Sequence, residues 1–319
     1  MQVITSLDGP VWPGQRTVAT IGTYDGLHRG HLEVIGRVVE LARSKGCRSA
    51  VVTFDRHPAA VVRPESAPRL LTTLDQRLSL LRSTGIDAVV VLPFDEPAAE
   101  EEADDFVQRV FINALNVCTV VVGSDFHFGR GRRGNVPMLE QMGVGADFAV
   151  IPIELRTEES GGVISSTAIR RALTDGRLDE ATVMLGRPFE IVGTVISGDQ
   201  RGRTIGFPTA NVDVGDGRII PADGVYAGHC RLNDGSEYAC AVNIGRRPTF
   251  HAAADRSLIE AHLLDFKGDL YGEEITITFV RRLRAEQRFD GPEALIAQLG
   301  QDIAETRQVV GVAGDPVGS

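Results

Sequence analysis

Gly22-Thr-Tyr-Asp-Gly26-Leu-His28-Arg-Gly30-His31 follows directly on a β-branched run at residues 17–22, and an amphipathic helical pattern begins at Leu32. A strand that passes through a glycine-rich turn into a helix opens a βα unit, and it sets the first half of the chain as a parallel sheet wrapped by helices. The turn puts His28 and His31 on one side of a helix N-terminus, beside backbone N–H groups that lack an intrahelical acceptor and favour an anion. Gly30 between them lets a phosphate or purine approach the backbone closely. Attack at the α-phosphorus of a nucleoside triphosphate suits such a turn, because catalysis there is mostly positioning and charge neutralisation. Histidines at this spacing also occur by accident or as metal ligands, and the pair alone leaves those alternatives open. No third zinc ligand stands out, whereas the strand, glycines and helix all stand where phosphate binding wants them.

Outward from this turn, further strand patterns occupy residues 48–54, 88–92, 119–123 and 148–153. Helical periodicity marks 32–43, 74–83, 103–115 and 165–173 between or beside them. The acidic stretch 95–105, with Glu100, Glu101 and Glu102, reads as a solvated helix start with no function. A second cluster, Ile164-Ser165-Ser166-Thr167-Ala168-Ile169-Arg170-Arg171, opens the helix after the fifth strand. Its hydroxyls serve as N-caps, and with Arg170 one turn on they also make a cradle for the β- and γ-phosphates. The second role is favoured, because both clusters fall at carboxyl ends of parallel strands, where open α/β sheets bind ligands.

Composition removes several alternatives. At 319 residues, with 43% hydrophobic and 24% charged residues, the chain fits two soluble domains better than one. No apolar run reaches the roughly 18 residues of a membrane span, and the start lacks the basic and apolar regions of a signal peptide, so a cytoplasmic protein is expected. A net charge of −10 argues against nucleic-acid and membrane partners, both polyanionic, and leaves small phosphorylated substrates. A monomer or weak homo-oligomer is expected. Cys47, Cys118, Cys230 and Cys240 form no C-x-x-C pair, so neither a disulfide scaffold nor a cysteine zinc site is indicated, and buried reduced thiols are expected. Lys45 and Lys267 are the only lysines, and neither sits in a P-loop. Gly129-Arg-Gly131-Arg-Arg-Gly134 matches a dinucleotide fingerprint, with Glu154 at the right interval, but Pro137 follows and no long helix opens there; an arginine loop near phosphates is the better expectation.

From about residue 187 the texture changes to strand patterns at 190–196, 224–232, 237–243, 258–264 and 273–280, joined by glycine-rich turns, which read as a small antiparallel barrel with a closing helix at 292–309. The stretch Gly198-Asp-Gln-Arg-Gly202-Arg203-Thr-Ile-Gly206-Phe207-Pro208-Thr209-Ala210-Asn211 offers more than turns, because its Arg, Thr and Asn present donors and oxygen ligands to a phosphate and its magnesium. Glu260 stands in an apolar strand where an unpaired carboxylate is expensive, so it faces a site or has a partner; alternation equally allows a plain outward-facing residue. His262 shares its face.

GTYDGLHRGH with ISSTAIR resembles the nucleotidylyltransferase superfamily, and Val122-Gly-Ser-Asp125-Phe-His-Phe-Gly129 is similar to the version in bacterial bifunctional FAD synthetases. GFPTAN, Asn243-Ile-Gly-Arg-Arg-Pro-Thr-Phe250 and Glu260-Ala-His-Leu-Leu-Asp-Phe266 resemble, in that order, the riboflavin kinase module. The resemblance implies a Rossmann-like nucleotidylyltransferase domain over residues 1–186 and a six-stranded antiparallel β-barrel kinase domain over 187–319. It implies a bifunctional transferase of FAD biosynthesis, with ATP and Mg2+, in which riboflavin becomes FMN and FMN becomes FAD. His28 and His31 would stabilise transition-state charge, with Gly22, Tyr24, Asp25, Gly30, Asp125, Ser165, Ser166, Thr167 and Arg170 binding ATP or FMN. Glu260 would be the kinase base, Thr209 and Asn211 would hold the metal, and together with Gly198, Gly202, Arg203, Gly206 and Phe207 they would bind ATP or flavin. Tyr24 stands where Phe is usual. Ala168 stands where an Arg often precedes Ile169, which weakens triphosphate binding unless Arg171 or the loop 130–133 compensates. Two rival readings are a relative with a single activity or another substrate, and a flavin-binding regulator without turnover.

Overall fold

The computed structural model describes residues 1–154, 163–198, 206–245 and 257–311. The chain divides into two compact units, Met1–Ser166 and Thr167–Ser319. In the first, strands Gln2–Ile4 (β1), Thr17–Ile21 (β2), Arg48–Phe54 (β3), Ala88–Leu92 (β4), Val117–Gly123 (β5) and Ala149–Ile153 (β8) form one sheet in the order β1-β4-β3-β2-β5-β8, every neighbouring pair parallel. Between the last two lies a two-stranded ladder of His127–Phe128 (β6) and Gly134–Asn135 (β7).

The strands read as unbroken apolar runs because both faces of the sheet are covered. Ala19, Ile21, Ala50, Val52, Val120 and Val122 pack with Phe106, Phe111 and Leu139 on one side. Their neighbours Val18, Val51 and Val121 pack with Ile35, Val38 and Leu81 on the other. Strand order runs outward from β2 in both directions, through β3 and β4 on one side and β5 and β8 on the other, so the topological switch point lies between β2 and β5.

The expected helices are present, with one difference. The segment expected as a single helix over 103–115 is a short helix, Ala103–Phe106, that widens into π-helical turns at Val107–Ala114, closed by the amide of Leu115 on the carbonyl of Val110. Strand β1 and helix Val136–Ala146 were not expected. The first is too short to show periodicity, and the second carries Gly143 and Gly145 inside it.

In the second unit, helices Ser166–Thr174 and Leu178–Leu185 precede a closed antiparallel barrel. Its staves are Phe189–Ile196 (β9), Ala210–Asp213 (β10), Gly224–Arg231 (β11), Glu237–Gly245 (β12), Leu258–Leu263 (β13) and Glu274–Arg284 (β14), in the order β10-β13-β12-β11-β14-β9. The resemblance implied six strands where periodicity drew five; the additional stave is β10, four residues long and placed at the end of the glycine-rich stretch. Tyr226 and Phe279 fill the barrel core edge to face, 5.3 Å between ring centroids. The C-terminal helix Pro292–Val310 is fastened by Asp302, 3% exposed, which accepts two hydrogen bonds of 2.9 and 2.7 Å from the Arg284 guanidinium.

Candidate active sites

The turn after β2 is tight because three of its residues hold left-handed backbone: Tyr24 (φ 49°), Gly26 (φ 80°) and Leu27 (φ 37°). Such conformations cost a non-glycine residue of order 1–3 kcal/mol and persist only where the surroundings over-determine them. Here they do. Tyr24 is buried, its hydroxyl is 2.6 Å from Thr20 Oγ1, and a Cβ on Gly22 would lie 3.2 Å from its ring. Asp25, 3% exposed, accepts from the amides of Leu71 and Thr72 at 3.0 Å and from the Thr72 hydroxyl at 3.1 Å. The Asp25 carboxylate therefore ties the turn to residues 71–72, a long-range role that no local pattern announces. Arg77 is buried beneath, donating to the carbonyls of Thr23 and Phe54; burial lowers its pKa from the ordinary arginine value, against the pull of Asp25 and Asp55.

His28 caps helix Arg29–Lys45 (α1), its Nδ1 accepting from the amide of His31 at 3.3 Å. The two imidazoles stack, 3.6 Å between centroids and 18° between planes, and the edge of Tyr24 meets His31 at 5.0 Å. Burial, and behind it the neighbouring His28, hold the His31 pKa well below the ordinary histidine value. Its Nδ1 is buried without a hydrogen-bond partner in the protein. An imidazole kept neutral and unsatisfied at a helix N-terminus is poised to gain from an anion placed against it. A Cβ on Gly30 would lie 3.3 Å from His28 Nδ1 and 3.9 Å from the carbonyl of Ile164, so the absent side chain leaves space between the turn and the second cluster.

That second cluster is joined to the first: Ser166 Oγ donates to the carbonyl of Asp25 at 2.8 Å, and Ser165 is half-buried beside it in sequence. Thr167, exposed, and Arg170, half-buried, continue the helix into the second unit. Asp125 is exposed two residues beyond the end of β5, on the other side of the switch point from β2.

Arg130 and Arg133 of the loop 130–133 pair with the acidic stretch before it. Arg130 lies 3.0 Å from Glu100 and 3.3 Å from Glu102, its amide donates to the carbonyl of Glu101, and Arg133 lies 3.9 Å from Glu102. The acidic stretch assigned no function is the partner of these arginines, and Glu101 also takes both hydrogen bonds of Arg109 at 2.7 Å. The glycines serve this packing: Gly129, at φ 69°, leaves no room for a Cβ against Ala103. Arg171, the other candidate substitute for the missing arginine, lies 3.7 Å from Asp175.

In the barrel unit, Gly202, Arg203 and the segment 246–250 lie outside the described residues. Along β13, Ile259, Ala261 and Leu263 turn into the core, which puts Glu260 and His262 on the outer face. Glu260 sits directly opposite Asn211 on β10 and Asn243 on β12, and opposite residues share a face, so the three form a half-buried row. His262 Nδ1 is 2.7 Å from the carbonyl of Pro208, and Phe207 meets the His262 ring edge on at 5.9 Å, holding the GFPT segment over this row. Thr209 is exposed and Gly206 holds φ 88°. A cavity of about 490 Å³ opens beside Asn211, with Ser197, Gly198, Asp213, Ser257 and Leu258 in its wall. The absent side chain of Gly198 leaves the Asn211 carboxamide its place there, since a Cβ would overlap that carboxamide and force it to swing away.

Thr209 and Asn211 are hard, neutral oxygen donors two residues apart beside a carboxylate, and no group of three or more His, Cys, Asp or Glu gathers among the described residues. That donor set fits magnesium, which keeps most of its shell as water and phosphate oxygen, and does not suit zinc.

Two family models match the chain: FAD synthetase over residues 13–168 and riboflavin kinase over residues 185–310. A bifunctional riboflavin kinase/FMN adenylyltransferase of Pseudomonas fluorescens is 38% identical over 96% of this chain and 97% of its own. One from Listeria monocytogenes is 40% identical over 93% of each. A crystal structure described as a macrolide-efflux protein from Streptococcus pneumoniae superposes with a TM-score of 0.84 at 30% identity, covering 96% of this chain and 99% of that one. No helix among the described residues is long and apolar enough to cross a membrane. With both domain models in sequence and near-complete coverage by these relatives, the chain belongs to the family of bifunctional riboflavin kinases/FMN adenylyltransferases.

Proposed function

We propose that the chain makes FAD in two steps, phosphorylating riboflavin to FMN in the barrel unit and adenylylating FMN in the α/β unit with release of pyrophosphate. Family membership over nearly the whole chain supports both activities. The observation that carries the adenylyl step is the stacked His28–His31 pair at the N-terminus of α1, in a turn whose Asp25 carbonyl accepts from Ser166 Oγ at the switch point. In that step an FMN phosphate oxygen bonds to the α-phosphorus of ATP while the bond to the bridging oxygen breaks. His28 and His31 offset the charge that grows on the α-phosphate, and Ser166, Thr167 and Arg170 hold the leaving pyrophosphate. Tyr24 and Asp25 shape the turn, Gly22 and Gly30 give the nucleotide access to it, and Asp125 borders the crevice. We assign residues 1–186 to this half and 187–319 to the kinase half.

In the kinase step Glu260 takes the proton of the ribityl 5′-hydroxyl, whose oxygen then bonds to the γ-phosphorus as ADP leaves. Thr209 and Asn211 would hold magnesium, which supplies charge neutralisation to the phosphates. Gly198, Gly206 and Phe207, with Gly202 and Arg203 from the same stretch, would enclose ATP and flavin. A net charge of −10 supports small-molecule partners over nucleic acid or membrane, and we place the enzyme in the cytoplasm as a monomer or weak homo-oligomer.

The test is incubation with riboflavin, ATP and magnesium, with the flavins separated over time. FMN rises first and FAD later. His28→Ala stalls at FMN, and Glu260→Ala makes nothing from riboflavin yet still converts added FMN. FMN accumulating without FAD in the unaltered protein overturns the adenylyl assignment, and riboflavin left untouched overturns the kinase assignment.

A further inference from the structure

At the end of the sheet opposite the switch-point crevice, where the central strands begin, the α/β unit brings together two cysteines that neither reaction uses. Cys47 follows Gly46, whose left-handed backbone (φ 63°) ends α1, and the Cys47 amide is fixed on the carbonyl of Ala42 at 2.9 Å. Cys118 is the second residue of β5. Strand β2 runs between β3 and β5, so the two thiols reach across the start of β2, and their sulfurs stand 3.1 Å apart. A disulfide bond is about 2.05 Å long, so closure asks for a movement of roughly 1 Å. Both side chains are half-buried, which leaves them open to a small reagent, whereas Cys230 and Cys240 are fully buried in the barrel core.

We propose that Cys47 and Cys118 are a thiol–disulfide site, oxidised to an intramolecular disulfide by low-molecular-weight disulfides and restored by the corresponding thiols. One cysteine loses its proton to solvent, and its thiolate attacks a sulfur of the reagent, RSSR, expelling RS⁻ and leaving a mixed disulfide. The second cysteine, deprotonated in turn, attacks the protein sulfur of that mixed disulfide and expels the other RS⁻. The two cysteines are oxidised, and RSSR is reduced to two RSH. Burial and the adjoining Cys118 thiol push Cys47 up, against the pull of Arg16 and Lys45, so the thiolate is scarce at neutral pH and the reaction quickens as pH rises. The bond would tie the end of α1, whose beginning carries His28 and His31, to the start of β5.

The test treats the full chain with oxidised glutathione. The expected result is loss of two of the four thiols titrated in denaturant, a Cys47–Cys118 link in non-reducing peptide maps, no retained glutathione, and a Tm higher by about 5 °C or more that a dithiol reverses. Cys47→Ser and Cys118→Ser, nearly isosteric changes whose folding is checked by melting, each stop at a persistent mixed disulfide and show no such Tm rise. Glutathione retained on the unaltered protein, four thiols surviving prolonged treatment at alkaline pH, or a link through Cys230 or Cys240 overturns the proposal.

Discussion

Gly198 does more at the barrel mouth than allow a turn, because the space a methyl group would fill is held by the Asn211 carboxamide. Gly198→Ala turns the Asn211 carboxamide away from the Glu260 side, and displacements of about 1 Å at a reacting centre cost up to roughly a hundredfold. The expected outcome is a ten- to hundredfold fall in FMN formation, with conversion of added FMN to FAD unchanged; initial rates of the two half-reactions check it. His31 gives a second residue-scale expectation. Its pKa is depressed in the folded chain, so the unfolded chain binds the proton more readily, and the stability held above about pH 6.5 is lost as pH falls below it. Melting curves across pH 5 to 7.5 should show a steeper acid loss for the unaltered protein than for His31→Gln.

At the scale of elements, the C-terminal helix depends on one buried pair. Asp302 has a side chain 4% exposed against Arg284 at 20%, so removing the arginine strands a carboxylate out of water. Arg284→Ala should lower stability by about 3–5 kcal/mol, and Arg284→Met with Asp302→Leu should recover most of that; denaturant midpoints measure both. The exposed ion pairs that hold the loop 130–133 are a different case. Each is worth at most about 1 kcal/mol, so they add little to the stability of the sheet.

For the whole molecule, the two family models match successive stretches of the chain, residues 13–168 and 185–310, and FMN is the only species that must pass from one proposed site to the other. Neither His28→Ala nor Glu260→Ala protein should make FAD from riboflavin alone, while the two mixed in one tube should, because each supplies the site the other lacks. Absence of FAD from the mixture would mean that both sites must share a chain. Both architectures were legible in the sequence for physical reasons: a sheet buried on both faces writes apolar runs, and glycine turns punctuate a barrel. The His28–His31 turn was legible as well, since a strand, a turn and a helix place it locally. What stayed hidden depends on partners distant in sequence. Asp25 holds residues 71–72, Arg130 and Arg133 are matched by acids about thirty residues earlier, and β10 is recognisable only by its pairing with β9 and β13.

That last strand has a consequence for motion. Four residues long between staves of six to eleven, β10 is the least fastened member of the closed barrel, yet it carries Asn211. Local opening begins where a segment has least to lose, so the barrel's weakest seam and its proposed nucleotide contact are the same few residues. A ligand bound there would act as a missing rivet, and the empty kinase half would breathe at the place where it must admit its substrate.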